Sequence, residues 1–414
     1  MANTLNLGNG NWATKEDSLL AYNSENGNFK PLPFDFTRAS SATVVNKAGL
    51  IETVGSGEPR IDFSNDAKGA LLLEPQRSNL ITNSESFLGT SGSASLTNSD
   101  ALSPYSSING FKISEVSTNS YQSRIYTNIG YVGGSSYTVY VFAKASTNDR
   151  FVLFGQQSSQ PIVGYDLTNG AILTESNVTS SFIDNYGNGW YRCGFTYTSA
   201  LTQTSQYGIN LIKEGTTNTY IYNGNTNQNV LFFGASLEQG SYATSYIPTQ
   251  GSAVTRSADA CNNGGNEQVI NSTEGVLFAE IAPLANDLTN RHIGISDDTN
   301  TNRLQIFFNI YGTTQIRTLN LVNNVKYFDM QSNVTLVNGY VKVAVKYKEN
   351  DFSLWVNGVE VATDNSGLVW SNGVLDTLKF SDGNNASPFY GNTKDIRLYN
   401  TALTDAELQA LTSN

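Results

Sequence analysis

The sequence predicts an all-β protein: two antiparallel β-sandwich (jelly-roll) domains in tandem, preceded by a small irregular N-terminal region. Three observations predict it. Short stretches alternate apolar with polar residues at period two, as in Tyr137 to Ala143 and Trp190 to Thr198; Gly, Asn and Ser divide them at close intervals; and Asn357-Gly358 sits between two such stretches, where the pair tolerates both positive φ angles of a type I′ turn. Regularly spaced short strands of this kind build sandwiches and jelly rolls.

The length of 414 residues suits two or three domains of roughly 100 to 200 residues each. Charged residues make up only 14%, against ~25% in ordinary soluble domains; Asn, Ser, Thr, Gly and Tyr supply the exposed positions instead. A net charge of −11 argues against nucleic acid and acidic membrane surfaces, because phosphate recognition needs a basic footprint. No stretch reaches the roughly 18 to 20 apolar residues of a membrane-spanning helix, and Met1 to Asn11 lacks a signal-peptide core. Synthesis in the cytoplasm without a signal peptide is the expectation, with Cys193 and Cys261 as unpaired thiols.

Residues 1–77 hold an Asn9-Gly10 pair, a short helix expected from Thr14 with Asp17 three residues on, then Pro31, Pro33 and several brief apolar runs. This region is too broken to hold a large core alone and is expected to order on docking to a partner. Residues 78–260 form the first sandwich, and Leu231 to Leu237 is its last buried strand. Gly240 releases that strand, and Tyr242, Tyr246 and Ile247 fold the exit back over the sheet before Pro248 ends pairing. A linker over residues 261–274, rich in Asn and Gly, leads to the second sandwich at 275–414. There Phe352 to Ala362 forms the Asn-Gly hairpin and Gly391 to Asn400 the final strand. A terminal helix follows, capped by Thr404 with Glu407 returning the bond and stapled by Leu403 against Leu408.

Two segments carry a family resemblance. The hairpin, final strand and Leu403-Thr-Asp-Ala-Glu helix resemble the laminin-G or concanavalin-A-like lectin fold over residues 275–414. The middle region opens with Glu74-Pro-Gln-Arg-Ser-Asn, contains Gly189-Trp-Tyr-Arg-Cys and closes with Leu231 to Asp259, and Phe36-Thr-Arg-Ala-Ser-Ser precedes it. Together these resemble the carbohydrate-binding-module-like sandwich and leader of tailed-bacteriophage structural proteins. The resemblance implies a virion-surface protein, as head fibre, capsid decoration or tail fibre. Its partners would be other virion proteins, through the N-terminal region, and host surface glycans, in a homotrimer without membrane insertion.

Sugar recognition needs flat aromatic rings with amides or carboxylates beside them, and the chain holds four Trp and 22 Tyr. Trp355, Trp370 and Tyr390 are the candidates in the last domain, and Tyr165, Tyr220 and Tyr222 in the middle one. Trp370, beside Ser371-Asn372-Gly373, is expected at the surface, while Trp355 fits a sugar platform and cross-strand packing equally. Trp190, after Gly189, reads as core. Calcium needs hard oxygen donors: Asp297 and Asp298 with Asn300 and Asn302 form one oxygen-rich loop, Asp382 with Asn384 another, and solvated acidic loops explain both as well. For the middle domain the resemblance implies calcium near Glu85 or Glu238.

No catalytic residue is expected. The only histidine, His292, reads as a strand residue and no Gly-x-Ser-x-Gly elbow is present, so a Ser/His/Asp arrangement finds no support. The Glu-x-Asp-x-x-Glu strand of lectin-fold hydrolases is also absent. A glycan-binding virion component is the reading, with a purely structural fibre subunit and a polysaccharide-degrading enzyme as the alternatives.

Overall fold

Leu5 and Leu7 alternate with polar neighbours, and their strand, Leu5–Gly8, pairs antiparallel with the last strand, Gly391–Tyr399, in the register Leu5 opposite Leu398 and Leu7 opposite Ile396. The first and last strands of the chain thus share one sheet. The computed structural model describes residues 3–29, 33–87, 91–105, 108–116, 124–155, 160–308, 315–335 and 339–413. It divides into two compact units: Met1–Ser41, Val54–Pro75 and Ser257–Asn414 form the first, Ala42–Thr53 and Gln76–Arg256 the second.

This division corrects the expected boundaries. Most of residues 1–77 is part of the lectin-like unit, as Ala70–Leu73 also pairs with Gly391–Tyr399 and Ile61–Asp62 continues that sheet. Leu5, Leu7, Phe34, Phe36, Leu71 and Leu73 lie in the same core as Ile293 and Leu354. The expected linker is likewise built in: Ala260–Asn262 pairs with Pro33–Thr37, and Cys261, Val269 and Ile270 enter the core. The helix expected from Thr14 is instead a hairpin of Ala13–Lys15 with Ser18–Leu20. Asp17 takes φ 57° in its turn, which a helix forbids and a short Asp side chain tolerates.

In the first unit the long sheet runs Val359–Asp364, Phe352–Val356, Val341–Lys348, Glu274–Pro283, Gly391–Tyr399, Ala70–Leu73, Ile61–Asp62. A five-stranded sheet runs Val325–Thr335, Gln315–Val322, Arg303–Phe308, Arg291–Ser296, Thr377–Lys379. Their apolar faces share one core, with Leu277, Val343 and Leu354 from the long sheet and Ile293, Leu304 and Ile306 from the five-stranded one. The hairpin turn has Asn357 at φ 48° and Gly358 at φ 82°, as its sequence requires. The helix Asp405–Thr412 starts at a capping box in which Thr404 and Glu407 exchange hydrogen bonds. Leu403 and Leu408 close over Val276, Phe278 and Trp355.

The second unit is built from two six-stranded antiparallel sheets. One runs Ser91–Gly92, Arg124–Tyr131, Gln203–Leu211, Arg150–Gly155, Ile162–Asp166, Ala171–Ser176; the other runs Ser95–Leu102, Asn109–Ser114, Asn229–Gln239, Ser136–Lys144, Trp190–Thr198, Ser180–Asn185. Their inward residues alternate, as Val139, Val141, Cys193 and Phe195 show. Tyr246 and Ile247 are buried, Tyr246 against Phe142 and Phe233, so the exit segment folds back as its apolar pattern predicts.

The residues that carry the phage-type resemblance turn out to be structural. Arg38 of the leader, Glu74 of the opening motif and Asp259 of the closing motif meet Arg60 in a buried ion network within the first unit. Arg38 lies 3.1 Å from Asp259, and Arg60 lies 2.6 Å from Glu74 and also pairs with Asp259. Burial opposes the charge on Arg60, but Asp259 and Glu74 hold it protonated above its ordinary range. Their charges are paired with one another inside the unit, which makes the network a structural clamp.

Candidate functional site

Register fixes what the outer face of the five-stranded sheet presents. Ile293, Ile295, Leu304 and Ile306 point into the core, so their neighbours point away. His292 lies opposite Phe307, Gly294 opposite Gln305 and Ser296 opposite Arg303. On the other side Gly294 lies opposite Lys379 and Ser296 opposite Thr377. This face is therefore a patch of imidazole, amide, hydroxyl and cationic groups around one aromatic ring, and the His292 and Phe307 rings meet edge to face at 4.5 Å.

The patch is buried and its polar atoms are not satisfied. His292, Ser296, Gln305 and Thr377 are exposed by only 7%, 2%, 1% and 7%. Both ring nitrogens of His292, Ser296 Oγ, Gln305 Oε1, Thr377 Oγ1 and Arg303 Nε lack a hydrogen-bond partner. Buried polar atoms are normally paired with protein or ordered water, so six on one face mark a place where water or a hydroxyl-bearing ligand completes the bonding. Burial pushes His292 down to about 4, with Asp382 opposing and Arg303 adding to the effect. The ring is neutral at neutral pH, and one nitrogen accepts while the other donates.

The loops beside this face hold the expected calcium residues. Asp298 pairs with the ammonium of Lys379, which also donates to Gly383 O at 3.1 Å and Asn385 Oδ1 at 3.0 Å. Asp297 accepts from Thr299 and Asn302, and Asp382 from the backbone of Asn384 and Ala386. The two oxygen-rich loops do come together, yet the cation among their oxygens is Lys379, whose side chain is 1% exposed. That arrangement does not fit calcium, because an ammonium already neutralises the carboxylate. In the second unit Glu85 accepts from Gln250, and Glu238, fully buried, from Ser236 and Thr244. Among the described residues no group of three or more His, Cys, Asp and Glu is placed to hold a metal ion.

The aromatic candidates separate sharply. Trp370, expected at the surface, is 2% exposed; its indole donates to Leu321 O at 2.7 Å and its ring packs edge to face on Tyr347. Trp355 is buried beneath the C-terminal helix and bonds Ser353, which resolves its two readings toward packing. Tyr165 is fully buried, stacked on Phe151 with its hydroxyl on Gly194 O. Tyr222 is 9% exposed and donates to Glu115 at 2.6 Å, so it anchors its loop. Tyr390 is half-buried against the lectin-unit core. Tyr220, half-buried, lines a pocket on the second unit. Trp355, Trp370 and Tyr390 therefore do not come together as an exposed sugar platform, because a flat ring beside a turn gains more from core contact than from solvent.

Sequence reasoning missed Ser296, Gln305 and Thr377 and set His292 aside. The available signal was the alternation in His292 to Ser296 and Arg303 to Phe307, which puts His292, Ser296 and Gln305 on one face. Alternation does not say that the polar face is buried.

Residues 270–409 match the family described as the Concanavalin A-like lectin/glucanases superfamily, and this part of the chain is a lectin-like sandwich. Similar solved structures include the CBM40 module of the Ruminococcus gnavus IT-sialidase, 16% identical over 37% of this chain and 94% of that one, with a TM-score of 0.31. Domain 4 of AbnA, a GH43 extracellular arabinanase from Geobacillus stearothermophilus in complex with arabinotriose, is 14% identical over 42% of this chain and 84% of that one, with a TM-score of 0.32. The heptameric SAP-like pentraxin of Limulus polyphemus is 11% identical over 34% and 71%, with a TM-score of 0.28. They assign no role to any residue of this chain. No curated protein matches the sequence.

Proposed function

We propose that this chain is a non-enzymatic component of a tailed-phage particle surface that binds host glycans weakly through its lectin-like unit. The observation that carries glycan binding is the row of unpartnered polar atoms from His292, Ser296, Gln305 and Thr377 on one sheet face. Neutral donors and acceptors suit a sugar's hydroxyls. Presentation in many copies, as a homotrimer on a symmetric particle, would turn low single-site affinity into avidity. The phage reading is supported by the leader, opening and closing motifs and by the hydroxyl- and amide-rich surface composition. Anchoring is not assigned to a separate N-terminal piece, since those strands are built into the lectin-like unit.

The test is a glycan array with the full chain and with Gln305→Leu and Thr377→Val. Both variants are expected to keep the wild-type melting temperature, because replacing an unpartnered polar atom by an apolar one is near neutral, and to lose the glycans that wild type retains. Unchanged retention by both variants would move binding off this face. Purified particles probed for the chain by mass spectrometry decide the second part: absence from particles removes the virion role and leaves the lectin.

A further inference from the structure

The second unit carries a pocket that owes nothing to the lectin-like face. It is a cavity of about 190 Å³ on the outer side of the sheet that contains Arg150–Gly155 and Gln203–Leu211, lined among others by Arg124, Phe154, Gln160, Asn210 and Tyr220. Register explains the grouping. Arg124, Asn210 and Val152 form one cross-strand row, and Tyr126, Gly208, Phe154 and Ile162 the next. Gly208 is required there: a Cβ would lie 2.8 Å from Tyr126 Cβ and 2.9 Å from the Phe154 ring. Tyr220 comes from the loop after the sheet, and Glu115 fixes that loop by accepting from Tyr222 and from Asn225 N at 2.7 Å.

Three chemical features converge in this pocket. Asn210 is 3% exposed and its Oδ1 has no partner, so a buried acceptor awaits a donor. The Arg124 guanidinium lies over the Tyr126 ring at 5.1 Å, and no described carboxylate pairs with it. Arg38 and Arg60, by contrast, have acidic partners, and Arg303 has an acid within its field. The walls supplied by Phe154 and Tyr220 are aromatic. The volume lies below the ~300 Å³ at which ordinary small-molecule pockets begin, which admits one ring of a longer ligand.

We propose that this pocket is a second binding site, one that takes a single carboxylate-bearing sugar residue of a polysaccharide. The carboxylate pairs with Arg124, whose planar fork matches it in two parallel hydrogen bonds. A ring hydroxyl donates to Asn210 Oδ1, and the C–H face of the ring lies on Tyr220. On a chain of net charge −11 the general field repels polyanions, so recognition depends on this one local cation. A neutral sugar leaves the guanidinium desolvated without a counter-charge.

The experiment is isothermal titration of the full chain with trigalacturonic acid and with its methyl ester, alongside Arg124→Gln, Arg124→Lys and Tyr220→Ala. The acid is expected to bind and the ester not. Arg124→Gln should weaken the acid about tenfold or more, and Arg124→Lys, which keeps the charge but not the fork, by less. Tyr220→Ala should weaken it with no change in melting temperature. Equal binding of acid and ester, unchanged affinity in Arg124→Gln, or no binding of the acid at millimolar concentration would each overturn the proposal. The array read on Gln305→Leu is independent of Arg124, so failure here and failure of the lectin-face reading are separately visible.

Discussion

The two units differ in where a cation is left without an acid, although the second also pairs Arg150 with Asp166 and Arg192 with Asp184. In the lectin-like unit Arg38, Arg60, Glu74 and Asp259 are buried together and neutralise one another, and Lys379 is closed in among Asp298, Gly383 and Asn385. In the second unit Arg124 faces a pocket with no described carboxylate beside it. Charge that the fold has already compensated is architecture, while charge or hydrogen-bonding capacity left over points to a ligand. By that standard the lectin-like unit offers the unpartnered groups around His292, and the second unit offers Arg124 with Asn210.

The largest expected effect tests the closed network. Asp259→Ala leaves Arg38 and Arg60 facing each other without their shared partner, and breaking a buried pair from one side costs about 3–5 kcal/mol. Calorimetry should show an early melting transition for the first unit, and an unchanged transition would mean the network contributes no stability.

A smaller effect concerns His292. Its folded value of about 4 lies below the ordinary 6.5, so the unfolded chain takes up the proton first. The stability that neutral His292 contributes is complete above about pH 6.5 and is lost as pH falls through 4, on the order of 3 kcal/mol in all. Urea titrations across that window should show the loss in wild type and a flatter profile in His292→Gln. An equal slope in both would place the titrating group elsewhere.

Thr404→Ala removes the side-chain half of the capping box and is expected to cost about 1 kcal/mol. Hydrogen exchange should accelerate in Asp405–Thr412 first, and uniform acceleration would show that the helix does not open locally. The smallest effect is the most diagnostic for the comparison: Arg124→Gln should change stability by no more than about 0.5 kcal/mol, because its guanidinium makes no ion pair with a described residue. A cost near that of Asp259→Ala would show that Arg124, too, is architecture.

Much of the fold was legible in local pattern, and the site far less so. The Asn357-Gly358 turn, the Thr404 cap and the strand through Leu231 to Leu237 each rest on residues within a few positions of one another. Trp190 is core, as read, but Trp370 failed as a guide because a ring beside a turn reads the same whether it faces water or bonds a carbonyl 49 positions away. The polar face of His292 and Gln305 was visible as alternation, but its burial was not. Tyr220 and Tyr222 were indistinguishable in sequence, and Glu115, 107 positions before Tyr222, made one an anchor and left the other in a pocket.

The sequence by itself determined that this protein is all-β and lectin-like over residues 275–414, because period-two alternation, turn residues and caps act between near neighbours. Only the tertiary structure decided that the N-terminal strands complete the lectin-like sheet and that Lys379 sits among the oxygens expected to hold calcium. It also decided which polar atoms are left unpaired. These depend on partners such as Leu5 and Leu398, brought together by sheet-edge pairing and core burial across nearly the whole chain, a separation at which local preference carries no information.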